Sequence, residues 1–199
     1  MKRPSSFALA VGLAAVVLLT NCSSKTEPTF LSADVTNANF GRDFKLADHN
    51  GKIRSLNDFK GKVVVLFFGY TNCPDICPST MGKLATAMKK LGKDAKHVQV
   101  LFVSVDPEHD TSALLKQYVT AFNPTFLGLF GEMQTTRSIA KEFKVIFQKQ
   151  VGGTQDNYTM DHSTGTYIFD MMGRLRLYVN SSKSADVFSH DILELLRTS

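Results

Sequence analysis

Hydrophobic residues along this chain follow two patterns, one typical of buried strands and one typical of helices. Two nearly continuous apolar runs, 62–68 and 98–105, are rich in β-branched residues and have the length of buried strands. Between them, 76–91 carries apolar residues at three- and four-residue spacing, which predicts a helix with one buried face. The pattern therefore predicts a strand–helix–strand unit with both strands inside a sheet.

Shorter segments extend this unit on both sides. An Asn-Gly turn predicts an N-terminal β-hairpin over 44–53, and Gly173 lies in the turn of a second hairpin, 165–170 with 174–179. The other predicted elements are helices at 112–121, 132–143 and 185–197, strands at 126–130 and 145–151, and a short turn or helix at 55–59. Alternating strands and helices of this kind predict an α/β domain with a central mixed sheet flanked by helices and an additional N-terminal hairpin.

The first residues have the features of an export signal. Lys2 and Arg3 precede the apolar segment 7–19, which is shorter than the roughly 20 residues that span a bilayer. The following Leu-Thr-Asn-Cys sequence, ending at Cys22, resembles a bacterial lipobox, although a small residue is usual where Asn21 stands. We expect Cys22 to be lipidated; an uncleaved anchor or plain secretion are the alternatives, and each also exports the domain.

These features divide the chain into three parts. We predict a signal peptide of lipoprotein type over 1–21, a flexible polar tether over 22–39 and a folded domain over 40–199. The formal net charge is +5, from 23 basic and 18 acidic residues. This excess is small and scattered, which argues against nucleic-acid binding.

Two cysteines stand where the first long strand gives way to its helix. Cys73 and Cys77 form a Cys-x-x-x-Cys motif, with Pro74 and Pro78 beside them. A helix N-terminus favours thiolates, and a strand-to-helix junction at the carboxyl edge of a sheet is a common place for chemistry. The spacing is looser than Cys-x-x-Cys and suits two thiolates that converge on one soft ion such as Cu(I). A purely structural pair of thiols or a structural disulfide is the alternative.

The position of the cysteine motif narrows the predicted architecture to a thioredoxin-like fold. In such a sheet the segment 158–164 faces the cysteines, so His162 could complete a Cys₂His metal site. We expect Asp161 either to fix the imidazole tautomer or to cap the turn. No proline follows Pro124, so the chain lacks the proline that thioredoxins carry in this loop, which argues against a general disulfide oxidoreductase.

From about Phe40 to the C-terminus the chain resembles the SCO/SenC family of copper-binding assembly factors for the Cu(A) centre of cytochrome c oxidase. The resemblance rests on the region 48–65 and on three motifs, Gly69–Pro78, Val103–Thr111 and Tyr158–Ser163. It implies that Cys73, Cys77 and His162 bind one copper, as Cu(I) or Cu(II). It also matches Asp106 to a family aspartate near the site with a structural or partner-binding role.

The resemblance implies a lipid-anchored protein on the periplasmic side of the bacterial membrane that delivers copper to the Cu(A)-bearing oxidase subunit. Other periplasmic copper chaperones or thiol reductants are further expected partners. Two alternatives use Cys73 and Cys77 as a redox pair: a thiol–disulfide reductase that keeps the oxidase's copper-ligand cysteines reduced, and a redox sensor. The reductase has no evident need for His162.

Overall fold

The two apolar runs form the centre of an eight-stranded mixed sheet in a computed structural model that describes residues 27–152 and 158–198. The strand order is β1-β10-β9-β4-β5-β6-β2-β3. The eight strands are β1 Ala33–Asp34, β2 Leu46–Asp48, β3 Ile53–Arg54, β4 Val63–Gly69, β5 Val98–Ser104, β6 Leu127–Phe130, β9 Thr166–Phe169 and β10 Leu175–Val179. A separate antiparallel hairpin consists of β7 Phe147–Val151 and β8 Tyr158–His162.

Helices cover both faces of this sheet. They are α1 Ile76–Leu91, α2 Ser112–Phe122, α3 Met133–Glu142 and α4 Ala185–Thr198, with short 3₁₀ helices at Leu56–Phe59 and Gly92–His97. Because β4, β5 and β6 are parallel neighbours, right-handed crossovers place α1 and α2 on the same face. Helix α4 packs against α1 on that face.

Neighbouring phenylalanines of β4 show how the two faces are filled. The Phe67 ring lies 6.1 Å from the ring of Phe102, which in turn contacts Tyr118 of α2. The Phe68 ring points to the other face, where it lies 5.3 Å from the ring of Phe143, just after α3. Since every residue of β4 and β5 is buried, these continuous apolar runs reflect a sheet that is covered on both sides.

The predicted architecture is confirmed, including the N-terminal hairpin formed by β2 and β3. Helix α1 has the predicted bounds, and Thr111 caps α2 by accepting a hydrogen bond from the Leu114 backbone N–H. One element differs: 158–162, predicted as a loop, is strand β8. Partly or fully buried Tyr158, Met160 and His162 alternate there with exposed residues, which is the period of a strand.

The N-terminal boundary of the domain also differs from the prediction. Ala33 and Asp34, placed in the predicted tether 22–39, pair with β10 at the sheet edge. Just before them, the backbone N–H groups of Leu31 and Ser32 donate to the buried carboxylate of Asp191. A flexible tether therefore cannot extend as far as residue 39. The predicted signal peptide 1–21 and Cys22 lie outside the described residues.

Among residues 27–152 and 158–198, no helix is both long enough and apolar enough to cross a membrane.

Candidate metal centre

The turn from β4 into α1 sets the positions of the two cysteines. Cys77 lies in the first turn of α1 and is fully buried, whereas Cys73 lies in the preceding loop and is partly buried. Pro78 is tolerated because the first helical turn leaves its backbone N–H groups without intrahelical partners. Both cysteines are free thiols. The loop therefore presents one sulfur near the surface and one beneath it.

Strand β8 brings His162 to the same point. Its Nε2 lies 3.4 Å from the Cys77 Sγ, and the ligand atoms of Cys73, Cys77 and His162 all lie within 4.8 Å of one another. The other ring nitrogen, Nδ1, lies 2.9 Å from the Ser163 carbonyl oxygen. Because a carbonyl can only accept, Nδ1 carries the proton and Nε2 presents its lone pair to the sulfurs. The three side chains could hold a metal ion.

The structure gives Asp161 neither of the roles that the sequence suggested. Its carboxylate accepts a hydrogen bond from Gln150 Nε2 at 2.9 Å, across the β7–β8 hairpin, and it lies on the opposite side of β8 from His162. The backbone carbonyl of Ser163 holds the imidazole tautomer instead.

Aromatic rings and a glycine fix the shape of the centre. The rings of Phe67 and Tyr70 make T-shaped contacts with the His162 ring, with centroid distances of 6.2 Å and 5.9 Å. At Gly69, a Cβ atom would stand 2.8 Å from the Cys77 Sγ and 2.9 Å from the Phe102 ring. Only glycine leaves the buried sulfur this space, so the glycine before the loop is part of the site's construction.

The two thiols differ in acidity. A hydrogen bond from the Cys77 thiol, assisted by the backbone N–H groups of Asp75 and Cys77, lowers the pKa of Cys73 to about 5, although burial acts in the opposite direction. The same hydrogen bond and burial raise the pKa of the Cys77 thiol. In the metal-free protein, Cys73 is therefore the thiolate and Cys77 the proton donor.

This difference predicts selective alkylation of the reduced, metal-free protein. Iodoacetamide at pH 7 should modify Cys73 first, and the rate should fall only as the pH drops through about 5. In urea both thiols should instead follow an ordinary pKa of about 8.5. Mass spectrometry of the labelled peptides measures both rates. Faster labelling of Cys77 than of Cys73 in the folded protein would contradict the assignment.

A buried carboxylate that the sequence analysis did not single out anchors the cysteine loop. Asp110 accepts hydrogen bonds from the Thr71 hydroxyl at 2.6 Å and from the Ser104 hydroxyl at 2.6 Å, and the Thr71 backbone N–H points to it. Thr71 lies two residues before Cys73. Asp110 therefore joins the end of β5 to the cysteine loop.

Asp106, predicted near the site, is also buried. Its carboxylate accepts a short hydrogen bond from the Tyr158 hydroxyl, at the start of the strand that carries His162. Burial raises the pKa of Asp106, while the hydrogen bond from Tyr158 partly offsets this effect. The hydrogen bond between Tyr158 and Asp106 connects the loop after β5 to β8. This contact is structural, since Tyr158 lies four residues before His162 on that strand.

Tyr158→Phe is expected to lower the free energy of unfolding by about 1–2 kcal/mol, because Asp106 loses a charge-assisted hydrogen bond in a buried position. Tyr118→Phe is the matched control, since the buried Tyr118 hydroxyl has no hydrogen-bond partner among the described residues. That change should leave stability unchanged or raise it. Equal losses in both variants, measured by urea unfolding, would show that the Asp106 contact contributes nothing.

Comparisons with known proteins identify the family of this chain. The SCO1/SenC family model matches residues 32–197. A SCO2-like protein of Rickettsia felis is 33% identical over 194 residues, covering 95% of this chain and 92% of the relative. The match begins one residue before the edge strand β1 rather than at the predicted end of the tether.

Solved structures share the fold. The copper-bound ScoI of Bradyrhizobium japonicum has a TM-score of 0.72 and 35% identity, covering 78% of this chain and 99% of that one. BsSco, described as a member of the Sco family of cytochrome c oxidase assembly proteins with a disulfide switch, has a TM-score of 0.62 and 25% identity over 85% and 96% of the two chains. With a family match that spans most of its length, this chain belongs to the SCO1/SenC family.

Proposed function

We propose that the protein binds one copper ion through Cys73, Cys77 and His162. The observation that carries this proposal is the convergence of two sulfurs and the Nε2 of His162 within 4.8 Å, with the imidazole already oriented by Ser163. Two thiolates and an imidazole favour Cu(I), and a further nitrogen or oxygen donor would allow Cu(II) in a tetragonal site. Copper-bound ScoI, which has the same fold, supports the choice of metal.

We further propose that the bound copper is delivered to the Cu(A)-bearing subunit of cytochrome c oxidase during its assembly. Membership of the family and the description of BsSco as an oxidase assembly protein support this role. The geometry suits transfer, because Cys73 and His162 are only partly buried and leave the rim of the centre open to an incoming ligand, while the fully buried Cys77 would hold the metal from below. Loading from another periplasmic copper chaperone, and reduction of the cysteines by a thiol reductant, would precede delivery.

We place the domain on the periplasmic side of the bacterial membrane, attached through a lipid on Cys22. The basic start, the apolar segment 7–19 and the lipobox-like sequence that ends at Cys22 support this location. Metabolic labelling of the full chain with a radiolabelled fatty acid tests the anchor. Label that is lost in a Cys22→Ala variant would support lipidation, and label retained in that variant would contradict it.

A thiol–disulfide reductase is the second candidate, and one observation favours it. The low pKa of Cys73 beside a protonated Cys77 is the arrangement of an attacking thiolate with a resolving thiol. Such an enzyme would reduce a disulfide between the oxidase's copper-ligand cysteines and would itself become oxidised. A redox sensor would use the same pair.

A transfer assay separates these functions. The copper-loaded domain, residues 27–199, is mixed with the metal-free, reduced Cu(A) domain of the oxidase, and formation of the Cu(A) absorption is followed. Transfer by the wild type and none by His162→Ala would support delivery. If the domain instead reduces an oxidised Cu(A) domain, with equal rates for both variants and no copper transfer, the reductase assignment would replace it.

A further inference from the structure

A positively charged surface adjoins the metal centre. It consists of Arg137 and Lys141 on α3, Lys144 just after it and Ile146 before β7; we call these four residues the basic rim. The four side chains are exposed and, with Ala140, Val145 and Phe147, line a groove of about 490 Å³. None of them is a proposed copper ligand.

The backbone connects the basic rim directly to His162. The Ser163 N–H donates to the Ile146 carbonyl at 2.9 Å, and the Ile146 N–H donates to the Ser163 hydroxyl at 3.1 Å. Phe147, the next residue, is the cross-strand partner of His162. Any molecule that occupies the groove would therefore lie beside the strand that carries the imidazole.

Among the described residues, no carboxylate neutralises the cations of the basic rim. In the described part of the chain, none of Arg137, Lys141 and Lys144 forms an ion pair. The nearby Glu142 is engaged by Arg42, at 3.6 Å. The Arg137 guanidinium lies over the Phe147 ring and the Lys144 ammonium over the Phe40 ring, at 5.7 Å and 4.8 Å. Two of the three charges are thus partly held in place by aromatic rings.

Ile146 adds an apolar contact at the middle of this charged surface. Its side chain is 78% exposed, the largest value among the exposed large hydrophobic residues of the described chain. A single exposed isoleucine is unremarkable in itself. Surrounded by unpaired cations and next to a metal ligand, it has the composition of an interface centre with a charged border.

We propose that the basic rim docks an acidic surface of the protein that exchanges copper with this centre. This inference rests on the proposed function and adds the chemistry of the partner: carboxylates that face Arg137, Lys141 and Lys144 around an apolar contact with Ile146. Copper exchange requires the partner's ligand atoms to reach Cys73, so a docking surface must border the centre, as the basic rim does. Complementary charge would mainly accelerate association and orient the partner.

Charge reversal at Lys141 tests the docking surface. Lys141→Glu alters an exposed residue whose side chain forms no hydrogen bond, ion pair or ring contact within residues 27–152 and 158–198, and Ile146→Ser removes the apolar contact. The matched control is Lys93→Glu, with the same change in net charge, because Lys93 is exposed and follows the far end of α1, about 24 Å from the cysteines. The copper-loaded protein is mixed with the metal-free Cu(A) domain, and second-order transfer rates are measured at low and high salt.

We expect Lys141→Glu to slow transfer about tenfold or more at low salt, Ile146→Ser to slow it at every salt concentration, and Lys93→Glu to change it little. Copper affinity should be unchanged in all three variants. Absence of copper binding by the wild type would refute the proposed function, and this inference with it, whereas the comparison of the variants tests the docking surface alone. Equal slowing by Lys141→Glu and Lys93→Glu would overturn the inference. So would unchanged transfer together with lost binding to vesicles of anionic lipid, which would make the basic rim a membrane contact.

Discussion

Cys77→Ser is expected to abolish tight copper binding, with a loss of affinity of at least about 1000-fold, or roughly 4 kcal/mol. Cys77 is fully buried, and its sulfur lies 3.4 Å from the Nε2 of His162 and within 4.8 Å of the Cys73 sulfur. A serine hydroxyl is a hard donor that remains protonated at neutral pH and does not replace a thiolate for Cu(I). Competition for Cu(I) with a chelator of known affinity measures the loss.

Met160→Leu is the matched control for the loss of a sulfur. Met160 is also buried, and it lies two residues before His162 on the same side of β8. Because its thioether packs in the core, Met160→Leu should retain wild-type copper affinity. Wild-type affinity in Cys77→Ser, or a large loss in Met160→Leu, would show that the ligand set has been assigned wrongly.

Gly69→Ala is expected to lower the free energy of unfolding by about 3 kcal/mol and to displace Cys77. The added methyl group would stand 2.8 Å from the Cys77 Sγ, 2.9 Å from Phe102 and 3.1 Å from Phe67, and all three side chains are fully buried. An interior that is already close-packed accommodates such a group only by shifting side chains and backbone. Urea unfolding of the metal-free protein measures the stability loss.

For Gly82→Ala, within helix α1, we expect the opposite result, a gain in stability. A Cβ at Gly82 meets no atom within 4 Å, and the residue lies inside α1. Since alanine is a better helix former than glycine, this change should raise the free energy of unfolding by up to about 1 kcal/mol. If both glycine variants change stability equally, the crowding around Gly69 has no energetic consequence.

The sequence was most informative where chemistry and local pattern coincide. Cys73, Cys77 and His162 could be selected in advance because their residue types suit a soft metal and because the β4–α1 junction has clear periodicity on both sides. The bounds of α1 followed from the same periodicity. The fold around these residues was predictable for the reason that its strands are long, apolar and fully buried.

The supporting contacts were much less accessible from the sequence. The Ser163 carbonyl that orients the imidazole is a backbone group, and any residue type could supply it, so the sequence pointed to Asp161 instead. Asp110 reaches Thr71 across 39 residues, a contact that depends on the β4 and β5 ends meeting at one edge of the sheet. Short strands are equally hard to predict from the sequence.

Strand β1 illustrates this limit. It has two exposed residues and therefore no hydrophobic alternation, so its segment resembled a tether. Its position depends on pairing with β10 and on the buried carboxylate of Asp191, which belongs to the last helix. These contacts are long-range, and local periodicity carries no signal for them.

The most direct test of the copper site is a Cu(I) titration of the reduced domain, residues 27–199, in competition with a chelator of known affinity, with His162→Ala alongside. The structure predicts one equivalent of tightly bound copper in the wild type and a loss of affinity of about 100-fold or more in the variant, since one of three converging donors is removed. Equal affinity and stoichiometry in both proteins would contradict the Cys₂His copper site on which this account depends.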